Sequence, residues 1–141
     1  MVMTAVDHIV FLVPDIEAGI RTWGDQLGFT LSHRVENLEA GVEVAFFNLQ
    51  DGTFIELVAP TNEQSSYAQI LRENGQGIRL LSFKVDDLDT AVAELQSKGV
   101  ALRGVGTDRV FIEPDAASGV LIQLWPKDRP HRWKANPSVQ K

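Results

Sequence analysis

One segment of the chain recurs, weakly but in order, about half the chain length further on. Residues 6–20 are matched by residues 78–92, an offset of 72 positions. In each copy a strand-like stretch leads to an aspartate, Asp15 or Asp87, which can cap a helix of apolar residues at helical spacing. A repeat at this spacing predicts two similar halves and restricts the fold more than any other feature of the sequence.

After each helix the pattern changes to short strand-like segments. The helices end at Gly28 and Gly99, and the segments that follow lie at 29–35, 42–49 and 53–59 in the first half and at 101–102, 109–112 and 119–125 in the second. Each half is therefore predicted as βαβββ. We predict a single domain made of module one (about 5–60), a connector with a short helix (61–77), module two (78–125) and a C-terminal tail (126–141).

A half of this size with one helix buries little apolar surface alone, so the two halves should pair. This predicts an α+β fold in which two βαβββ modules form a cupped mixed β-sheet around a central cavity, the natural site for a small-molecule ligand. Equivalent positions in the halves should face that cavity together. His8 is equivalent to Leu80 on the opening strands, and Glu56 is equivalent to Gln123 on the closing strands.

Each of these polar positions has an ordinary structural explanation as well. His8 lies in an alternating strand and fits a half-buried histidine, and Glu56 fits a solvated outer face. An inward glutamate is costly unless it is used or paired, which favours a functional role for Glu56. Gln123 fits a structural hydrogen bond and a ligand contact equally well.

Composition excludes several kinds of chemistry and partner. The absence of cysteine excludes disulfides, thiolate metal ligands and a cysteine nucleophile. A net charge of −6 argues against a nucleic-acid partner. The tail at 126–141 is nevertheless basic, with five basic residues against one acid, and is expected to dock on its own domain or on a second subunit. No apolar run approaches the ~20 residues of a membrane span, so we expect a cytoplasmic protein.

Several short motifs resemble a known family. They are Val-Asp-His-Ile at 6–9, Val-Pro-Asp-Ile at 13–16, Ile-Glu-Leu-Val-Ala-Pro at 55–60, Phe-Lys-Val-Asp-Asp at 83–87 and Gly-Val-Leu-Ile-Gln-Leu at 119–124. Together they resemble the vicinal oxygen chelate superfamily of glyoxalase I, bleomycin resistance proteins and extradiol dioxygenases, and above all its methylmalonyl-CoA epimerase branch. The resemblance implies paired βαβββ modules around a metal site, usually in a homodimer.

The resemblance also implies which residues would hold the metal. The family ligand positions correspond to His8, Glu56, Leu80 and Gln123, and this chain departs from the epimerases at two of them. Leu80 cannot bind a metal, and Gln123 is neutral where the epimerases have a glutamate. His8, Glu56 and Gln123 would therefore bind a divalent metal weakly or not at all, so we expect no cofactor or a weakly bound metal ion. Extradiol dioxygenase chemistry, which needs two histidines and a carboxylate on iron, is excluded.

Two classes of function stay open. In the first, an isomerase or lyase, Glu56 assisted by His8 removes a proton next to a carbonyl group. In the second, the chain is a binding protein of the bleomycin-resistance type, which keeps the cavity, with Gln123 and Leu80 contacting the ligand, but has no chemistry. Leu80 and Gln123 favour the second class, and the general likeness to epimerases favours the first. In both, we expect a small-molecule ligand and a homodimer.

Overall fold

Eight strands and three α-helices occupy the part of the chain that the computed structural model describes, residues 1–131. The strands are β1 Met3–Leu12, β2 Leu31–Asn37, β3 Val42–Asn48, β4 Phe54–Pro60, β5 Gly77–Val85, β6 Leu102–Arg103, β7 Val110–Ile112 and β8 Ile122–Pro126. The helices are α1 Ile16–Ile20, α2 Ser66–Asn74 and α3 Leu88–Ser97. Within the described residues, no helix has both the length and the apolar character needed to cross a membrane.

The predicted elements are present, with two informative differences. The first helix does not stay α-helical: α1 continues as a π-helical segment, Arg21–Gln26, in which the Leu27 N–H donates to the Thr22 carbonyl over five residues at 2.9 Å. The strand predicted at 119–125 begins only at Ile122. Ser118 and Gly119 have φ of 56° and 88°, left-handed values that turn the backbone before the strand can start.

The chain forms two compact units. The first, which we call the α3 unit, combines Met1–Ile9 with Arg79–Arg129. The second, the α1 unit, contains Val10–Ile78 together with Pro130 and His131. Strand β1 contributes residues 3–9 to the α3 unit and residues 10–12 to the α1 unit.

The α1 unit contains the antiparallel strands β2, β3 and β4, of which β3 pairs with both others. Its helix covers one face of these strands, because alternate residues of β3 and β4 are apolar and contact α1. The buried members of that core are Val13, Ile16, Ala45, Phe47, Ile55, Leu57 and Ala59. Side-chain alternation places Glu56 on the opposite face of β4.

The α3 unit has a mixed arrangement in which β5 pairs with β8 in parallel, and β7 is antiparallel to both β8 and β6. Helix α3 covers one face. The buried members of its core are Val85, Ala91, Leu95, Val110, Ile112 and Leu124. The eight strands have the order β2-β3-β4-β1-β5-β8-β7-β6. The α+β class and the mixed sheet are therefore confirmed.

The single-domain division into two modules and a connector stays a prediction. Most of the basic tail, from residue 132 to residue 141, lies outside the described residues.

The predicted capping of α3 by Asp87 is confirmed and gives a test of stability against pH. Asp87 Oδ2 accepts hydrogen bonds from the hydroxyl of Thr90 and, at 2.9 Å, from its backbone N–H. These bonds, the hydroxyl bond first, lower the pKa of Asp87. A carboxyl group whose pKa is lower in the folded state stabilises the protein above its unfolded pKa, and that stability is lost as pH falls through the folded pKa.

We therefore expect the native protein to melt at a higher temperature than Asp87→Asn at neutral pH. That difference should shrink steadily once pH falls below about 4, where half of the unfolded aspartate is protonated. Thermal melts from about pH 7 to pH 3 measure it, with Asp89→Asn in the same first turn as the matched control. A difference in Tm that is unchanged at the acid end would contradict this role of the carboxylate.

Candidate functional site

Strand β1 buries the histidine that the sequence singled out. His8 is 2% exposed, and its Nδ1 lies 2.6 Å from Oδ2 of Asp7, which is equally buried. When Nδ1 carries its proton toward the carboxylate, Nε2 has the lone pair. The carboxylate then fixes both the tautomer and the orientation of the ring, as it does for histidines that act as bases or metal ligands. Asp7 and His8 are both potential metal ligands by residue type.

Trp125 of β8 holds the other side of the histidine. The two rings meet edge to face, at 83° with centroids 5.6 Å apart. The indole is itself fixed, since its Nε1–H donates to the carbonyl of Arg129 at 3.1 Å and the Arg129 guanidinium lies 5.1 Å from the ring centroid. The imidazole therefore has a defined position within the α3 unit.

The face of the α3 unit away from α3, which we call the helix-free face, carries the remaining predicted residues of this unit. Residues on β5 and β8 that alternate with the α3 core point to this face, and they include Leu80, Ser82, Gln123 and Trp125. Ser82 is paired directly with Gln123 in the ladder. Leu80 is half-buried, and Gln123 is 7% exposed. The structure thus brings Leu80 and Gln123 onto one face.

Glu56 belongs to the α1 unit. It is 1% exposed, and its partner in the β3–β4 ladder is the buried Phe46. The aromatic rings of that face continue outward: Phe46 stacks with His33 at 4.7 Å, and Phe54 meets His131 edge to face at 5.0 Å. Glu56 is therefore a buried carboxyl group on an aromatic face. Of the two alternatives for Glu56, the solvated outer face is therefore excluded, and the inward position that the sequence favoured agrees with its burial.

The residues of the α3 unit do not fit the family's metal site. Two of the ligand positions implied by the resemblance, Leu80 and Gln123, lie on the helix-free face. The leucine offers only hydrocarbon, and the amide oxygen is neutral. His8, oriented by Asp7, has the arrangement of a ligand, but it is one imidazole where the sequence resemblance implies two. We therefore derive no chemical step through a metal.

Sequence reasoning missed two residues of the α3 unit. Strand neighbours normally point to opposite faces, so alternation does not indicate a contact between Asp7 and His8, although the place of Asp7 directly before His8 is a usable signal. Ser82 belongs to no motif. It is fully buried, and its Oγ has no hydrogen-bond partner among the described residues. The repeat held a signal here too, since Ser82 is equivalent to the apolar, buried Val10.

Comparison with known proteins agrees with this fold. The family model of the Glyoxalase/Bleomycin resistance protein/Dioxygenase superfamily matches residues 7–113. The human mitochondrial methylmalonyl-CoA epimerase is 31% identical over 127 residues, which cover 84% of this chain and 72% of that protein.

Two solved structures show the same likeness. The crystal structure of the Mycobacterium tuberculosis methylmalonyl-CoA epimerase is 35% identical, with a TM-score of 0.71, covering 92% of this chain and 91% of the other. A Streptomyces coelicolor methylmalonyl-CoA epimerase variant, in complex with 2-nitronate-propionyl-CoA, is 28% identical, with a TM-score of 0.70, covering 90% and 99%. The chain therefore belongs to the Glyoxalase/Bleomycin resistance protein/Dioxygenase superfamily, the vicinal oxygen chelate superfamily of the sequence resemblance, and it resembles the methylmalonyl-CoA epimerases.

Proposed function

We propose that this protein is a proton-transfer enzyme, an isomerase or lyase that removes a proton next to a carbonyl group without the full metal site of its relatives. The observation that carries the proposal is the buried pair of Asp7 and His8, joined at 2.6 Å. A histidine whose Nδ1 is held by a carboxylate can accept a proton at Nε2 and return it, which is what such a reaction requires.

Glu56 is the second proposed catalytic residue. It is assigned from its place in the sequence repeat, and its 1% exposure supports the assignment, because buried carboxyl groups are rare unless they are paired or used. Glu56 is proposed to remove the proton and His8 to assist. Asp7 is proposed as a positioning residue that acts through the histidine.

Exchange of α-protons for deuterium, followed by NMR, tests this proposal. Suitable probes are 2-oxobutanoate, butanone and propionyl-CoA, which represent three classes of carbonyl compound. We expect the native protein to accelerate exchange in at least one class, and His8→Gln and Glu56→Gln each to lower the rate roughly 100-fold or more. The matched control is Glu63→Gln, which makes the same change at an exposed position.

Asp7→Asn tests separately whether the carboxylate of Asp7 orients His8. An amide keeps the size of the carboxyl group but reverses the preferred tautomer, so we expect exchange to fall by about 10- to 100-fold and its pH profile to move. Full exchange in both His8→Gln and Glu56→Gln would contradict the proposal.

A second candidate function is favoured by one observation. Leu80 places hydrocarbon on the helix-free face at a ligand position of the family, which suits a protein that binds a small molecule without chemistry. No exchange with any probe, together with thermal stabilisation by a small molecule, would favour this candidate. The ligand cavity, the homodimer and the cytoplasmic location stay predictions from the sequence.

A further inference from the structure

The α3 unit contains a hydroxyl group whose burial is not explained by contacts within the protein. Ser82 is 0% exposed, and within residues 1–131 its Oγ has no hydrogen-bond partner. Buried hydroxyl groups are normally hydrogen-bonded. A buried hydroxyl group without a protein partner therefore indicates a hydrogen bond to a bound molecule. Ser82 belongs to the helix-free face and not to the core under α3.

A second neutral hydrogen-bonding group stands beside it. Gln123 is the direct ladder partner of Ser82 on the neighbouring strand, and neighbouring strands lie about 4.8 Å apart. Paired residues of adjacent strands share a face, so the side chains of Ser82 and Gln123 are neighbours, and each carries a hydrogen-bond donor. The two donors are uncharged and held by a regular sheet.

The surroundings say what kind of acceptor suits them. The same face continues with Leu80 on one side and, on the other, with the half-buried Lys84 and its ladder partner Trp125, the residue that fixes His8. Strands β1, β5 and β8 of the α3 unit therefore carry an oriented imidazole and two hydrogen-bond donors. Fixed neutral donors are most effective toward an oxygen that gains negative charge during the reaction, as the oxygen of an enolate does.

We propose that Ser82 and Gln123 form a hydrogen-bonding site for the carbonyl oxygen of the substrate, which holds the enolate oxygen in place of a metal ion. This inference rests on the proposed proton transfer and specifies its substrate class as compounds with a carbonyl oxygen and an adjacent acidic C–H. Both residues would contact the substrate. No covalent bond forms between them and the ligand, and the proton goes to the base alone.

Nitronates test this site because they are planar anions with the shape and charge of an enolate. The probes are propane-2-nitronate and 2-nitronate-propionyl-CoA, each compared by calorimetry on the full chain with its parent compound, in which the nitroalkyl group is uncharged. We expect the native protein to bind a nitronate at least about tenfold more tightly than the parent. Ser82→Ala and Gln123→Leu should each weaken nitronate binding about tenfold, the effect of one hydrogen bond to a charged group.

Stability separates a ligand-directed hydroxyl from a structural one. Since Ser82 Oγ bonds to no described protein atom, Ser82→Ala should not lower the Tm. The matched controls are Ser97→Ala and Gln96→Leu, which lie exposed on α3 and should leave nitronate affinity unchanged. Unchanged nitronate affinity in Ser82→Ala and Gln123→Leu would overturn the inference, as would equal affinity of the native protein for nitronate and parent. A lower Tm of Ser82→Ala with native affinity would overturn it too.

The two proposals can fail separately. Nitronate binding that depends on Ser82, in a protein that exchanges no α-protons, would support the oxygen site and contradict the proton-transfer function. Exchange that depends on His8 but is the same in Ser82→Ala and Gln123→Leu would support the function and overturn the oxygen site.

Discussion

Methylmalonyl-CoA is expected to be epimerised roughly 100-fold more slowly, or slower still, by this protein than by the human epimerase. Epimerisation requires one group to take the proton on one face of the substrate and another to return it on the opposite face. Glu56 is the proposed base for one face. Its equivalent in the sequence repeat is Gln123, whose amide cannot act as a base.

Conversion of one C2 epimer of methylmalonyl-CoA into the other, with and without added divalent metal, measures this rate against the human enzyme. Rapid epimerisation by the native protein that disappears in Glu56→Gln would contradict the expectation and restore an epimerase function.

We expect the native protein to bind metal weakly, and restoring two ligands is expected to make it bind metal tightly. Calorimetry on chelator-stripped native protein should show no tight equivalent of cobalt, nickel, manganese or zinc ions. Leu80→His combined with Gln123→Glu adds an imidazole and a carboxylate, both good ligands for these ions. We expect this double variant to bind metal at least roughly 100-fold more tightly than the native protein, since even an orienting partner of a ligand is worth 10- to 100-fold in affinity.

The single variants and His8 serve as controls. Leu80→His and Gln123→Glu alone should give intermediate affinities, and adding His8→Ala to the double variant should remove tight binding. One tight equivalent of metal in the native protein, abolished by His8→Ala, would contradict the expectation. Failure of the double variant to bind metal would mean that the backbone positions, as well as the side chains, have changed.

These two outcomes and the oxygen site are linked through Gln123. In the metal experiment, Gln123→Glu adds a ligand. In the nitronate experiment, the same change replaces a donor by a negative charge beside an anion, and nitronate binding without metal should fall by more than about tenfold. One substitution is thus expected to improve metal affinity and to weaken enolate-analogue affinity.

Local features and the internal repeat could be predicted from the sequence. The offset between Asp15 and Asp87 predicted two helix starts, and both aspartates accept a hydrogen bond from a backbone N–H at the start of their helix. The period-two alternation predicted the strands, because half-buried strands must alternate apolar and polar side chains. The superfamily followed from short motifs, and the matches to known proteins confirm it. All of these depend on neighbours within a few residues or on one sequence repeat.

The surroundings of the polar side chains were decided only by the tertiary structure. The sequence could not show that Ser82 Oγ lacks a hydrogen-bond partner within residues 1–131, that Gln123 is its ladder neighbour, or that Trp125 fixes the ring of His8. Strand register and ring contacts join residues far apart in the chain, and a shift of one residue would turn each side chain to the other face. The sequence by itself determined which elements form. Tertiary packing determined which polar atoms remain for a ligand, because hydrogen-bond satisfaction is a property of the packed neighbours and not of the residue type.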